Sequence, residues 1–297
     1  MKQIIRRLVV GVLLAAAVTG VTVAYQASVQ PIDGTQIATL DDLRAALPRD
    51  TRYYTQTLRF NQAALREMTG GALPENGGEE WSESVSYQAY DAEGRLIASF
   101  SDGDGKPMLS LREYDRVGNC VRGVMYLDSA LLTETTTVFD EAGREISAEN
   151  RSEDEISTTS ERIYQPRPDG TTRAAVTVYD ADGAVIEQDA HILDDKNRIV
   201  HSEIQLGGYT AVVDYAYDDK DRLIHSLVDN GDGDKRETAW QYIDSENGST
   251  GSSAQYENGV LQGRTEQRFD ALGVCVYQAE YNAEDVLVSE TIREVLA

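Results

Sequence analysis

Apolar and polar residues alternate in short segments that repeat along most of this chain. The clearest copy runs from Tyr90 to Ile97, where an aromatic residue is followed by Asp, a polar stretch with Gly, and a closing β-branched residue. Seven further copies begin at Tyr114, Phe139, Tyr179, Leu193, Tyr217, Phe269 and Tyr281. Short apolar segments separated by turn residues predict β-strands joined by hairpins.

Three columns of this eight-residue pattern have a physical reason. The second position is Asp, or Asn once, whose side chain caps a type I turn by accepting from backbone donors two residues on. The fifth is Gly, Asn or Asp, the residue types that tolerate the left-handed backbone of a turn followed by a bulge. The eighth is Ile or Val in every copy, and we expect it to face a core.

The spacing of the copies defines the repeating unit. Successive first positions lie 24 or 25 residues apart in some intervals, as from Tyr90 to Tyr114 to Phe139, and 12 or 14 in others. The short step corresponds to one strand with its turn, and the long step to two. A fixed period of this kind indicates a repeat architecture. The sequence therefore predicts a mainly β protein, an antiparallel β-meander repeat sheet, elongated or coiling, over residues 81–297.

Residues 30–80 have a different pattern. Thr39 to Leu47 combines a capping residue, early acids and Leu at helical spacing, and Pro48 ends it, which predicts a short helix. Thr51 to Phe60 predicts a strand, and Gln62 to Met68 a second helical turn. We interpret this region as a small α/β cap over the exposed edge of the meander. Within the repeats, the Ser/Gly-rich run Ser245 to Ser253 predicts a flexible loop.

The first 29 residues predict a signal peptide or a membrane anchor. Lys2, Arg6 and Arg7 precede an uncharged apolar run from Leu8 to Ala24. Its seventeen residues lie between the length of a signal core and that of a spanning helix, so both readings stay open. Either one places the repeats outside the cytoplasm, secreted or in the cell envelope, because the basic residues stay inside. Contact with a membrane is expected through this segment only.

Composition narrows the function classes. The formal net charge of −24 would repel phosphate backbones, so nucleic-acid binding is not expected. With 16 Tyr but only 4 Phe, thin sheets are more consistent with the sequence than a thick core. Catalytic motifs for zinc proteases, serine hydrolases and nucleotide binding are absent from the sequence, and we expect no enzyme activity.

Acidic turns are the best candidates for a metal site. Asp102 and Asp104 lie in one Gly-containing turn, and Asp229, Asp232 and Asp234 in another, which suits the oxygen ligands that calcium prefers. Neither turn has the EF-hand pattern, so plain polar hairpins are the alternative, and no other cofactor is expected. His201 and His225 share a column, and with Glu203 they form a weaker metal candidate.

The two cysteines, Cys120 and Cys275, also share a column. Small buried hydrophobic positions explain both, while an extracellular location would permit a disulfide.

The Tyr-Asp-x-x-Gly-Arg-Leu core at Tyr90, with the copies at Phe139 and Tyr217, resembles the tyrosine-aspartate (YD) repeat of RHS-repeat proteins. These are bacterial cell-surface and secreted proteins with long, coiling β-sheets. The resemblance implies a short member of that family without its core and toxin domains. Other hairpin-repeat families of the MORN-like and antitoxin-like kind fit Tyr256 to Leu261 equally well.

The sequence thus leads to the hypothesis of a non-enzymatic, monomeric surface or secreted protein that binds a glycan or a protein partner. Exposed tyrosines on a sheet suit sugar rings, and the resemblance implies a role in adhesion. The alternative is an accessory shell or chaperone component of a secreted toxin/antitoxin system.

Overall fold

The computed structural model describes residues 32–64 and 81–296, apart from residues 104, 153–154, 207–208 and 232. A 3₁₀ turn, Gly34–Gln36, and helix α1, Leu40–Ala46, precede the sheet. The strands are β1 Arg52–Asn61, β2 Trp81–Tyr90, β3 Leu96–Gly103, β4 Lys106–Tyr114, β5 Cys120–Leu127, β6 Ala130–Phe139, β7 Glu145–Ser152, β8 Glu155–Pro166, β9 Thr172–Asp180, β10 Val185–Leu193, β11 Ile199–Leu206, β12 Tyr209–Tyr217, β13 Leu223–Asp229, β14 Lys235–Ser245, β15 Gly248–Glu257, β16 Val260–Phe269, β17 Cys275–Asn282 and β18 Leu287–Val295.

The sheet is a closed antiparallel barrel of 18 strands. Each strand pairs with the next along the chain, and β1 pairs with both β2 and β18, so that Gln56 lies between Ser86 and Arg293. The predicted strand at Thr51 to Phe60 thus closes the sheet. The expectation of an open, elongated or coiling meander is wrong, because a meander whose last strand reaches its first has no edge left.

Helix α1 packs on one face of the barrel wall, which we call the helix face. Thr39 and Asp42 form a reciprocal capping box at its start. The 3₁₀ turn and helix contribute Ile37, Leu43 and Leu47 to the main apolar cluster, and the strands contribute Ala89, Ala98, Phe100, Leu109, Leu111, Val124 and Tyr126. Leu43 is only 1% exposed, and burying a Leu side chain contributes about 2 kcal/mol. The region predicted as a cap therefore supplies both this helix and a barrel strand.

The opposite face carries Tyr54 and is called the Tyr54 face. Tyr54 packs against Tyr90 and Val274 in a second apolar cluster, and its hydroxyl donates to Asp270 at 2.8 Å. Asp270 belongs to the turn between β16 and β17, whose Leu272 also approaches Gly94 in the turn between β2 and β3. These two turns are four strands apart along the rim, so the sheet curls towards the Tyr54 face here.

The turn columns of the repeat have the backbone that their residues predict. All eight fifth positions have positive φ: Gly94, Gly118, Gly143, Gly183, Asn197, Asp221, Gly273 and Asp285. In the first copy Asp91 Oδ1 accepts from the backbone N–H of Glu93 and of Arg95, and a bulge follows between Ala89 and Tyr90. Six copies lie on one rim, which we call the Tyr-Asp rim. The copies at Tyr179 and Tyr281 lie on the opposite rim. Only one strand separates Tyr179 from the copy at Leu193, and one strand separates the copy at Phe269 from Tyr281, which explains the short steps of 14 and 12 residues.

Neighbouring turns on the Tyr-Asp rim are joined through Arg and Tyr side chains. Arg144 pairs with Asp140 at 2.7 Å, and its guanidinium lies 4.4 Å from the centre of the Tyr164 ring. The Tyr164 hydroxyl donates to the Glu145 carbonyl at 2.8 Å. The same stacking joins Arg95 to Tyr114, Arg198 to Tyr217 and Arg222 to Tyr242. We call this set the Arg-Tyr ladder.

Two local predictions are wrong. Ser245 to Ser253 is no flexible loop, because β15 begins at Gly248. Small residues are needed there since a side chain at Gly251 would approach the Tyr242 and Phe269 rings at 3.3 to 3.5 Å. The β-branched eighth column does not face a core throughout: Val288 is buried, but Ile186 is 44% exposed. Only part of either face of this thin wall is covered.

Among the residues that the structure describes, no helix has both the length and the apolar character needed to cross a membrane. The signal or anchor segment, residues 1–29, lies outside the described residues.

Candidate functional site

The five predicted calcium ligands lie in two separate turns. Asp102 and Asp104 belong to the β3–β4 turn, and Asp229, Asp232 and Asp234 to the β13–β14 turn, eight strands away by the shorter way round the barrel. Asp104 and Asp232 lie outside the described residues.

Two of the three remaining acidic groups, Asp229 and Asp234, are engaged by neighbouring groups. Asp229 accepts from the Gly231 backbone and pairs with Lys235 at 3.0 Å, and both contacts lower its carboxyl pKa, the backbone hydrogen bond most. Asp234 accepts from Asn258 at 3.1 Å. Within the described ranges no three His, Cys, Asp or Glu side chains come together as a metal site. Calcium binding stays a prediction, and these contacts favour the plain-hairpin alternative.

Each histidine has one partner at hydrogen-bonding distance, and His201 Nε2 also lies 3.8 Å from a carboxylate oxygen of Glu203. His201 on β11 and His225 on β13 both lie on the helix face, with β12 between them. His201 contacts Asp214 at 2.7 Å, and His225 contacts Glu237 at 2.9 Å. His191 lies on the Tyr54 face against Ser202 at 2.8 Å, and burial lowers the pKa of its imidazole. The structure therefore does not bring the histidines together.

Cys120 and Cys275 are free thiols, each half-buried at the start of its strand. Each thiol is directed to a carbonyl oxygen two residues further on.

Tyrosines on the Tyr-Asp rim do not offer free rings to a ligand. In the Arg-Tyr ladder a guanidinium already covers one face of each ring, and the hydroxyl groups of Tyr114, Tyr164 and Tyr217 donate to backbone carbonyls. The tyrosines of the Arg-Tyr ladder therefore have a structural role, which joins one turn to the next, and sugar binding by exposed tyrosines stays a prediction.

Two surface hollows remain as candidates. The smaller, of about 210 Å³, lies over the small cross-strand pair Ala175 and Ala190 on the helix face, with Arg173, Gln188 and Gln205 around it. Those three side chains are all exposed. This hollow is shallow and lies below the ordinary size range of small-molecule sites.

The larger hollow, of about 500 Å³, is centred on Gly263 in β16 and falls within that range. Gly263 lies between Gln255 on β15 and Asn282 on β17. A Cβ at this position would lie 2.5 Å from the Tyr281 carbonyl oxygen, so the strands leave no room for a side chain. Because no side chain covers this position, the surface of the wall has a depression there, which we call the Gly263 hollow.

The side chains around the Gly263 hollow are mostly polar. Thr265 pairs directly with Glu280, and Gln255 flanks the glycine. Neither Gln255 nor Thr265 makes a side-chain hydrogen bond to any residue in the described ranges. Buried Val288 gives the hollow an apolar wall. Unpaired amide and hydroxyl groups beside an apolar surface can bind the hydroxyls and C–H faces of a polar ligand.

Sequence reasoning missed these residues. Gly263 lies inside a strand and outside the turn columns, and an isolated strand glycine is itself a signal of a bulge or of close backbone approach. The bulge is present between Gln255 and Tyr256. Gln255 and Thr265 carry no signal of their own, because their role depends on which strands become neighbours.

Comparison with known proteins gives no family. No protein-family model matches the chain, and no curated protein matches it. Among solved structures, a porin-like protein from Bacteroides uniformis is 8% identical with a TM-score of 0.40, and the match covers 82% of this chain and 97% of that one.

Two further structures are similar at the same low level. A porin-like protein from Bacteroides vulgatus is 12% identical with a TM-score of 0.38, over 74% of this chain and 95% of that one. A putative lipoprotein from Parabacteroides distasonis is 11% identical with a TM-score of 0.18, over 56% and 93%. Likeness of this size carries no argument about function.

The resemblance to RHS-repeat proteins is wrong. No family model supports it, and the sheet closes after 18 strands instead of continuing as a coil. The turn pattern that suggested the family is a general solution for hairpins, since Asp caps and Gly permits the left-handed residue in any such turn. The chain is a closed antiparallel β-barrel with a polar hollow at Gly263.

Proposed function

We propose that this chain is an exported, non-enzymatic β-barrel protein that binds carbohydrate in the Gly263 hollow. The observation that carries the proposal is that the Gln255 and Thr265 side chains make no hydrogen bond to any described residue and lie beside a hollow of about 500 Å³. Sugar sites need groups of this kind, because each hydroxyl of the ligand must recover the hydrogen bonds it made with water.

Export is supported by the N-terminal sequence, in which Lys2, Arg6 and Arg7 precede an apolar run. Fusing residues 1–30 to alkaline phosphatase tests this part, since the enzyme becomes active only outside the cytoplasm. An inactive fusion would contradict export. The toxin-shell alternative rested on the RHS resemblance and is not retained.

The charge on the barrel wall favours an aqueous location. Arg122 pairs with Glu113 and Glu134 on the helix face, while Arg162 pairs with Glu145 on the Tyr54 face. A wall in contact with lipid instead carries an apolar band on its outer face. We therefore place the barrel in water, on the non-cytoplasmic side of the membrane.

Carbohydrate binding is tested with a glycan array probed by the full chain, followed by calorimetry on any hit. Replacing Thr265 by Val keeps the shape but removes the hydroxyl, and replacing Gln255 by Ala removes the amide. Each change should weaken binding by roughly 5- to 10-fold, the effect of one hydrogen bond. Gln188→Ala, at the smaller hollow, is the matched control and should leave binding unchanged.

Two results would overturn the proposal: no glycan bound by the full chain, or binding that the hollow variants leave intact. If the hollow variants kept glycan binding and Gln188→Ala lost it, the binding site would be the hollow at Ala175 and Ala190.

A further inference from the structure

The charge of the Gly263 hollow bears on the class of sugar. Two carboxylates, Glu280 and Glu284, line it, together with one guanidinium, Arg264. Arg264 is already engaged: it donates to Asp285 at 2.6 Å, pairs with Glu266, and lies 3.7 Å from the centre of the Tyr281 ring. Its charge is compensated by these partners, so the hollow itself stays negative.

Glu280 is held in place by neutral donors. Ser289, which is buried, donates to one carboxylate oxygen at 2.9 Å, and Gln278 donates to the other at 2.9 Å. Neither donor brings a positive charge, and each carboxylate oxygen keeps a lone pair for another partner. Among the described residues no ion pair engages Glu280, so this exposed carboxylate, held by two neutral donors, is available beside the Thr265 hydroxyl.

We propose that the Gly263 hollow selects amino sugars with a protonated amine, an inference that rests on the proposed carbohydrate function. Glu280 receives the ammonium, while Gln255 and Thr265 bind neighbouring hydroxyls. Directly paired residues on antiparallel strands have Cβ atoms about 4.5–5.5 Å apart, which matches substituents on one sugar ring. The net charge of −24 also attracts a cationic ligand over a longer range.

The test compares glucosamine with glucose and N-acetylglucosamine, which differ at one ring position. Calorimetry on the full chain at pH 6, where the amine is charged, should show glucosamine binding roughly 10-fold tighter, because hydrogen bonds to charged groups are stronger than neutral ones. Glu280→Gln should bring the three affinities together while leaving glucose binding in place. That retained binding also shows that the variant is folded.

Glu155→Gln is the matched control, since Glu155 is an exposed carboxylate on β8, eight strands from the hollow. It should leave the preference for glucosamine unchanged. Equal affinities in the unaltered protein, or a preference that survives Glu280→Gln, would overturn this inference but leave the carbohydrate function standing. Failure of all three sugars to bind would contradict both.

Discussion

At the residue scale, Tyr54 shows how one side chain holds distant parts of the wall together. It is 1% exposed, its ring meets Tyr90 edge-on at 5.3 Å, and its hydroxyl donates to Asp270 in a turn more than two hundred residues away. The pKa of Tyr54 is raised to about 12, mainly by burial of the side chain and next by its hydrogen bond to Asp270. The neutral phenol is therefore the form that the fold stabilises.

This pKa predicts a loss of stability at high pH. In the unfolded chain a Tyr ionises near pH 10, so the folded protein should lose stability as pH rises from about 10 through 12. By pH 11 the contribution of Tyr54 to this loss is on the order of 1 kcal/mol, about half of its full value. Urea unfolding at pH 8 and pH 11, followed by circular dichroism, measures it.

Tyr54→Phe is the variant that isolates the effect. It should be less stable than the natural protein at pH 8, because Asp270 loses its donor, and its stability should fall less between the two pH values. Tyr256→Phe is the control, since the Tyr256 hydroxyl makes no hydrogen bond to any residue that the structure describes. If the free energy of unfolding fell equally between pH 8 and pH 11 in Tyr54→Phe and in the natural protein, ionisation of Tyr54 would not be the cause of the loss.

At the element scale, hairpin chemistry was predictable from sequence. The second-position Asp or Asn and the fifth-position Gly, Asn or Asp act within five residues, so local pattern determines them. The strand at Thr51 to Phe60 and the helix at Thr39 to Leu47 were predictable for the same reason. The Ser245 to Ser253 error shows the limit: small residues also suit tight packing between strands, and composition alone does not separate the two cases.

A pair of glycines with open surroundings tests the turn explanation. Gly183 has φ +79° and Gly123 lies in β5 with ordinary extended backbone, and an added Cβ would meet nothing within 4 Å at either position. Gly183→Ala should destabilise the protein by roughly 1 kcal/mol through backbone strain. Gly123→Ala should be neutral or slightly stabilising, because it restricts the unfolded chain.

Chemical denaturation of both variants gives the two free energies of unfolding. Equal effects of the two substitutions would show that backbone conformation is not what selects Gly in this column.

The Arg-Tyr ladder predicts coupling between turns. Removing the Arg144 side chain should cost about 1 kcal/mol, since it loses both the Asp140 pair and the stacking on Tyr164. A double-mutant cycle with Arg144→Ala and Tyr164→Leu should show a coupling energy of roughly 0.5–1 kcal/mol. Arg151, which pairs with Glu149 on the same hairpin, lies outside the ladder and provides the control. Arg151→Ala combined with Tyr164→Leu should show no coupling energy. Strictly additive losses would contradict an energetic role for the stacking.

At the scale of the whole molecule, closure and the candidate site were beyond sequence reasoning for one reason. Both depend on which strands become neighbours, and the repeated hairpin is the same whether the meander stays open, coils or closes. The pairing of β1 with β18 joins residues more than two hundred positions apart. The Gly263 hollow likewise needs β15, β16 and β17 side by side before Gln255, Thr265 and Glu280 surround one glycine.

Closure itself can be tested with an engineered disulfide across the last pairing. Thr57 on β1 lies directly opposite Ile292 on β18. With Cys120 and Cys275 replaced by Ser, cysteines at these two positions should form a disulfide under mild oxidation, seen by mass spectrometry of a non-reduced digest. The chain-entropy account gives a gain of up to about 5 kcal/mol for so long a loop, so thermal unfolding should also shift upwards.

The matched control places the second cysteine at Thr177 on β9. This strand lies eight strands from β1 round the barrel, so the two thiols are too far apart to form a disulfide. Disulfide formation in the Thr57–Ile292 pair but not in the Thr57–Thr177 pair requires that the first and last strands meet. An open meander would leave both pairs reduced, because its ends would be separated by the full width of the sheet. The experiment therefore distinguishes a closed barrel from the open repeat sheet that the same turns could equally well build.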